Sequence, residues 1–438
     1  MWPRHLLAVR RLSGSPSPPS PSLSSVLRVP SDVARGIPDD VRHILPLLHD
    51  LSDGARRGIP RWVPTEDRAP SSHAPRKRSA SWLEITYPFS TDVGLRTLYM
   101  LADGTSMRAG RFLEELDAFA ADVSVRHARA GGEDGRPPLA VVTAAHDGLS
   151  IFSSLSAVHD LRLRGAVVSV GETSMEVRTD VLRVNDDNYC GGRGGETLLG
   201  SCHTIMVARD AGTFEKVAVP PLCGGDVESA ELEAEADLRR ARRWILRERN
   251  LRINPPMPDE VPILHELWRE AHEAHLSGTL AELVPMNASR IRNLEVMQPK
   301  NRNVNGYIFG GYLMRRSLEA AWLSAFKHCK HPMVFVGADD VTFARPVEVG
   351  KIIEVSSRVA FVDPEGLTIR VFVDVNHISL ESGRQEPTCE FHFVFHTPPG
   401  SPRTPQVQPV TYAQTLLWLE SRRRWLASKS EARHVDGR

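Results

Sequence analysis

The sequence lacks several features that would mark a familiar protein class. Five cysteines occur among 438 residues. They are Cys190, Cys202, Cys223, Cys329 and Cys389, an odd set without a CxxC pair. This argues against a zinc knuckle or a disulfide framework and points to a reducing compartment. Net charge is also missing: 54 Lys and Arg balance 54 Asp and Glu. A protein built around nucleic-acid phosphates usually carries a basic excess, so no nucleic-acid partner is expected. No uninterrupted apolar run approaches the roughly 18 residues of a membrane-spanning helix. A Gly-x-Ser-x-Gly elbow is absent, which leaves an α/β serine hydrolase unsupported. Gly191-Gly192-Arg193-Gly194-Gly195 does not read GxGxxG and precedes an apolar strand, so it reads as a hairpin loop. His265, His272 and His275 share a predicted helix without HExxH spacing, and nothing nearby completes a metal set. No metal and no bound cofactor are expected.

What is present is ordinary globular material, 41% hydrophobic and 25% charged. At roughly 150 residues per domain, it has room for two or three domains. Residues 1–31 stand apart. They hold Arg4, Arg10, Arg11 and Arg28, dense serines and no acid before Asp32. Trp2, Leu6 and Val9 can share a helical face, and this composition reads as an organellar transit peptide. Arginines in the initial amphipathic stretch favour the mitochondrion, with the matrix as destination; a plastid is the alternative. A plain disordered tail is the other reading, since Pro16, Pro18, Pro19 and Pro21 forbid a long helix. Residues 32–80 read as a mostly disordered linker, with a short helix pattern over 37–51.

From Ser81 the pattern becomes globular and repeats. Over 111–129, Phe112, Leu113, Leu116, Phe119 and Val123 recur at helical spacing. Strands are predicted over 139–145, 161–170, 174–184 and 198–208. In the second half a helix over 312–328 carries Leu313, Met314, Leu318, Trp322 and Phe326 on one face. Strands over 333–343, 351–361, 367–376 and 388–396 follow. Ile369, Val371, Val373 and Val375 alternate with Arg370, Phe372 and Asp374, as in a half-buried strand. One element order repeated after some 200 residues indicates a duplicated domain. The boundaries read as 81–215 and 286–400, joined by a helical charged bridge over 216–285. A C-terminal helix and tail occupy 401–438. In the bridge, a helix over 226–249 runs from acidic to basic, matching the helix dipole; its arginines read as a solvated helix end. A second helix covers 260–276, and the last helix 411–427.

The most informative stretch is Asn303-Val304-Asn305-Gly306-Tyr307-Ile308-Phe309-Gly310-Gly311-Tyr312-Leu313-Met314. Two glycines open an apolar helix, where backbone can approach a substrate closely. The free N–H groups there favour an oxygen that becomes negative. Downstream lies Asp340-Val341-Thr342-Phe343-Ala344-Arg345-Pro346-Val347-Glu348-Val349-Gly350. Asn-x-x-Gly-x-x-Phe-Gly-Gly, a helix, then Asp-x-x-Phe-x-x-Pro-Val-x-x-Gly resembles the acyl-CoA thioesterases of the hotdog fold. The match to their mitochondrial double-hotdog branch extends over 81–428. It includes Arg108-Ala109-Gly110-Arg111-Phe112 and Gly171-Glu172-Thr173-Ser174-Met175-Glu176-Val177 in the first half.

The resemblance implies an α+β fold of two hotdog domains, each an antiparallel sheet wrapped around a long helix. It implies hydrolysis of an acyl-CoA substrate to a free acid and CoA, and a homo-oligomer. In the family, a carboxylate about two helical turns after the second glycine acts as base or nucleophile. Asp117 is the seventh residue after Gly110. Leu318 is the seventh after Gly311, and Glu319 follows it, turned by ~100°. The amide partner is present as Asn303 in the second half and has no counterpart in the first. The resemblance therefore implies one composite site, Asp117 facing Asn303 and the Gly311 N–H. Gly110, Gly310 and Gly311 are the substrate-binding glycines, and Glu319 is the second candidate carboxylate. Asp340 reads as a structural cap. Asp117 as a simple helix-start acid, and the chain as a non-catalytic acyl-CoA-binding scaffold, are the alternatives. A hydratase lacks a suitably framed His, since His331-Pro332 has no glycine-rich sequel. The transit reading predicts a mature chain lacking Trp2 to at least Arg10; N-terminal sequencing of native protein that finds an intact start would refute it.

Overall fold

The computed structural model describes residues 74–129, 139–151, 155–184, 195–223, 227–248, 250–277, 283–303, 305–379 and 382–436. The transit segment, the short helix over 37–51 and most of the glycine loop lie outside the described residues. The first half contains β1 (Leu83–Tyr87), α1 (Val93–Tyr99), α2 (Ala109–Arg129), β2 (Leu139–Ile151), β3 (Leu161–Val170), β4 (Ser174–Val184) and β5 (Glu196–Asp210). Two bridge helices follow, α3 (Val227–Glu248) and α4 (Val261–Ser277). The second half contains β6 (Leu283–Pro285), β7 (Ile291–Val296), α5 (Gly310–Cys329), β8 (Val334–Phe343), β9 (Ile352–Val362), β10 (Thr368–Ile378) and β11 (Gln385–His396). β12 (Gln406–Gln408) and α6 (Tyr412–Asp436) end the described chain.

Ten strands form one sheet in the order β1-β3-β4-β5-β2-β8-β11-β10-β9-β7. The order is a palindrome of the repeat, β1, β3, β4, β5, β2 in one half answering β7, β9, β10, β11, β8 in the other. Its seam is the antiparallel pair β2–β8, with Ala145 opposite Thr342 and Leu149 opposite Ala338. Each half wraps its strands around its own long helix, a double hotdog. The apolar stripe of α2, from Phe112 to Val123, is buried against the sheet. Removing such large side chains from water supplies roughly 1.5–3 kcal/mol each. α2 and α5 also cross each other, running antiparallel. At the crossing a Cβ on Gly311 would stand 2.8 Å from Glu114 Cα, so no larger residue fits without displacing a helix.

The sheet's outer face departs from the expected alternation. On β10, Ile369, Val371, Val373 and Val375 face inward and are fully buried, but Arg370 and Phe372 on the other face are buried too. α6 lies over that face. Arg370 donates to Ser428 at 2.9 Å, and Phe361 packs between Trp418 and Trp425. α6 outruns its predicted end because no glycine or proline occurs between Ser428 and Asp436. In the first half α3 takes the same place, which corrects the reading of its arginines as a solvated helix end. Arg239 pairs with Glu176 at 2.6 Å, Arg243 with Asp147 at 2.5 Å, and Arg240 donates to Ser169 at 2.8 Å. The i, i+4 spacing of Arg239 and Arg243 places both over the sheet, where the buried carboxylates of Glu176 and Asp147 require partners.

A second correction concerns α5. Leu313, Met314 and Leu318 are buried as expected, whereas Trp322 and Phe326 are 37% and 41% exposed. Their rings stack on each other at 5.6 Å. The buried stripe turns instead through Ala321, Ser324 and Ala325, because small residues let α5 sit close to β9, where Ser324 and Ser357 share a hydrogen bond of 2.7 Å. Alone, residues 81–215 would expose both the β2 edge and the α2 face that α5 covers. That fragment is expected to aggregate or self-pair, and a monodisperse monomer in sedimentation analysis would contradict the shared core.

Candidate active site

Three acids open α2, and each goes somewhere different. Glu114 is held by Arg111 and Arg315 at 2.5 and 2.9 Å. Glu115 accepts from the hydroxyls of Tyr87 and Tyr99, and burial pushes its carboxyl up to about 7. Asp117, 1% exposed, reaches across to the other half. Its Oδ2 accepts the N–H of Gly311 at 2.7 Å. Phe309, the N-cap of α5, supplies no side-chain hydrogen bond. The first N–H groups of a helix have no intrahelical partner, and the helix dipole favours negative charge there. Asp117 therefore caps α5 from a distant part of the chain.

Two β2 side chains hold the other carboxylate oxygen. Thr143 donates to Asp117 Oδ1 at 2.7 Å, and His146 Nε2 lies 3.2 Å from the same atom. His146 Nδ1 is 3.0 Å from Thr204 Oγ1, with Cys202 Sγ at 3.7 Å. Burial lowers the basicity of His146, but its hydrogen bonds to Asp117 and Cys202 and the Asp117 charge outweigh that and push it from 6.5 to about 9. The imidazolium and the carboxylate thus form a buried pair.

Asn303 lines the same cavity of about 190 Å3 as Asp117, Thr143 and Gly310. Its Oδ1 accepts from the amides of Asn305 and Tyr307 at 2.9 and 3.2 Å. Its own N–H donates to the Tyr307 carbonyl at 2.6 Å. Gly306, at φ 84°, makes the turn this pinning requires. With Oδ1 engaged, the Nδ2 group is the end of Asn303 available to a ligand.

The structure thus brings Asp117, Asn303, Gly310 and Gly311 to one place. It changes one role: the Gly311 N–H, read from sequence as a donor to substrate, is engaged by Asp117. Gly110 and Glu319 lie elsewhere, lining a second cavity of about 730 Å3. Glu319 is 39% exposed and paired with Arg316 at 2.7 Å and Arg108 at 4.0 Å. One residue of helix rotation carries it away from the position that Asp117 holds, onto the arginine-bearing side of α5. His265 and His272 stack on Trp268. His146 escaped the sequence reading because the predicted strand ended at residue 145, and Thr143, three residues before it, falls on the opposite face of a regular strand. The β-bulge after Thr143 that brings both to one carboxylate leaves no signal in the sequence.

Two helices, each wrapped by its own strands and joined edge to edge, with a carboxylate of one half capping the helix of the other, define a double-hotdog protein with an interfacial acidic site. Residues 305–374 match the family model described as Thioesterase superfamily. The chain is 30% identical over 383 residues to acyl-coenzyme A thioesterase 9, mitochondrial, of Homo sapiens, covering 86% of this chain and 81% of that protein. It is 32% identical to the protein of the same name in Mus musculus, covering 80% and 78%. It is 30% identical to acyl-coenzyme A thioesterase 2, chloroplastic, of Humulus lupulus, covering 78% of each. The chain belongs to the acyl-CoA thioesterase family of double-hotdog proteins.

The raised basicity of His146 carries a linkage sign. Its stabilising contribution is complete below 6.5 and is lost as pH rises through about 9, when the folded state releases its proton. Thermal melting across that interval should show a decline in the parent protein that His146→Gln flattens.

Proposed function

We propose that one composite centre between the halves carries out the reaction, with Asp117 as the reacting carboxylate. The chain hydrolyses acyl-CoA thioesters to free fatty acid and CoA. The observation that supports this centre is the bonding of Asp117: a buried carboxylate oriented at once by the Gly311 N–H, Thr143 and His146 beside a cavity containing Asn303. A buried carboxylate without partners would take up a proton. The Gly311 N–H, Thr143 and His146 supply this one with hydrogen-bond partners and hold it aimed.

The acyl-CoA carbonyl enters beside Gly310, at the start of α5. Charge developing on the thioester oxygen is favoured by the positive end of the α5 dipole, since the Gly311 N–H itself is held by Asp117. Asn303 orients the water with its Nδ2 group. Asp117 takes one proton of that water as the hydroxyl joins the carbonyl carbon. Collapse breaks the carbon–sulfur bond, and the proton passes from Asp117 to the departing sulfur. Direct attack by Asp117, forming an anhydride that water opens, uses the same geometry. Either way the products are a free acid and CoA. In this reading 81–215 and 286–400 are the two hotdog domains, while 216–285 and 401–438 supply the helices over their outer face. The mitochondrial names of the two mammalian relatives and the acid-free, arginine-rich start support import into the mitochondrial matrix.

Asp117→Asn keeps size and polarity and removes the base, so thiol release should fall by a factor of ~10² or more. Asn303→Ala should also reduce it severely, and the double variant should lose far less than the two effects combined, because both groups serve one event. Glu319→Gln should cost much less. Loss of thiol release in folded Glu319→Gln, with Asp117→Asn near normal, would move the chemistry to the other cavity.

A further inference from the structure

The second cavity is the counterpart of the first under the repeat. Gly110 opens α2 as Gly311 opens α5, and each lies at one side of the same antiparallel crossing, Gly110 against Arg315 and Gly311 against Glu114. Position by position, the groups assigned to hydrolysis are gone from this copy. Leu318 follows Gly311 by the seven residues that separate Asp117 from Gly110, and Leu318 lines the second cavity. Ala102 precedes Gly110 by the eight residues that separate Asn303 from Gly311, and it too lines this cavity. A carboxylate and an amide have become a leucine and an alanine. The charged groups that remain are engaged: Glu319 with Arg316 and Arg108, Arg111 with Glu114, and Asp103 with the amides of Thr105 and Ser106.

The space itself has not closed. Its volume is about 730 Å3 against about 190 Å3 for the first cavity, within the range of sites that hold small ligands. The walls are Leu101, Met107, Leu155, Leu318, Trp322 and Phe335, with Leu323 and Val334 beside them. Several of these face water. Leu101, Leu323 and Val334 are 47%, 48% and 41% exposed, and Trp322 is 37% exposed. A cluster of large apolar side chains at the mouth of an apolar cavity is stabilised by an apolar ligand that excludes that water.

We propose that this cavity is a non-hydrolysing binding site for a long acyl chain, carried by intact acyl-CoA or by the released fatty acid. The chain lies along Leu318, Trp322 and Phe335, and the polar head stays at the mouth near Arg108. A thioester bound there meets no free carboxylate and no asparagine, so it persists. The proposal rests on reading the first cavity as the hydrolytic centre, since it is the loss of that centre's groups that leaves binding without turnover.

Calorimetric titration of the full chain with a non-hydrolysable thioether analogue of a long-chain acyl-CoA, and separately with the matching fatty acid below its micelle concentration, tests it. If acyl-CoA is the ligand, the analogue should bind at two equivalents per chain and Leu323→Glu at one. If the fatty acid is the ligand, it should bind at one equivalent, which Leu323→Glu removes. In both cases thiol release by the variant at low substrate should stay within about twofold of the parent. Ala102→Trp, which occupies the cavity from another wall, should reproduce the loss. Unchanged stoichiometry of both ligands in both variants overturns the proposal. So does a variant that changes the sedimentation of the protein while keeping its ligand equivalents, which would make the patch a contact between copies. A parent protein with the second binding equivalent but no thiol release would instead overturn the hydrolytic reading of the first cavity.

Discussion

Asp117 accepts the Gly311 N–H at 2.7 Å across 194 residues of sequence separation, and much of the molecule is arranged around that contact. For the bond to exist, α2 and α5 must cross close enough that Gly311 has no room for a side chain against Glu114. For the helices to cross there, the two sheets must join along β2 and β8. The bond also satisfies a helix terminus that its own N-cap leaves without a side-chain acceptor. One interaction thus serves as a cap, as a tie between halves and as the orientation of the carboxylate proposed to react.

The surrounding electrostatics keep that arrangement intact. A carboxylate 1% exposed would be costly alone. Thr143, His146 and the helix end make it tolerable, and Thr204 fixes the far side of the imidazole. On the sheet's other face, α3 supplies arginines to Glu176 and Asp147, while α6 covers β9 and β10 with tryptophans. The wide sheet is therefore covered on both faces, by charge pairing in one half and aromatic packing in the other.

Duplication left two cavities at opposite ends of the crossing, and they have diverged in kind. One is small and places a carboxylate, a threonine and an asparagine beside a glycine-opened helix. Its counterpart is larger, with apolar residues at the corresponding positions and its charges paired off. The helix-start glycines survive in both because the crossing needs them, whatever the chemistry beside them.

Long elements with a clear period were legible without coordinates. The stripe from Phe112 to Val123 follows from one-sided burial and the alternation from Ile369 to Val375 from an aliphatic inner face, and each leaves its period in the residues themselves. The spacing of Asp117 from Gly110, and the presence of Asn303 before the second glycine pair, were equally readable because they are local counts. β1, α1 and β7 were not read, since five to seven residues are too few to show a period. Tertiary structure decided the rest. It placed Trp322 and Phe326 at the surface, brought the α3 arginines onto buried carboxylates, and sent Glu319 and Asp117 to different cavities. It also brought His146 under Asp117 and turned the Gly311 N–H toward that carboxylate. These depend on which strands join and where two helices cross, and contacts between residues far apart in sequence leave no period along the chain.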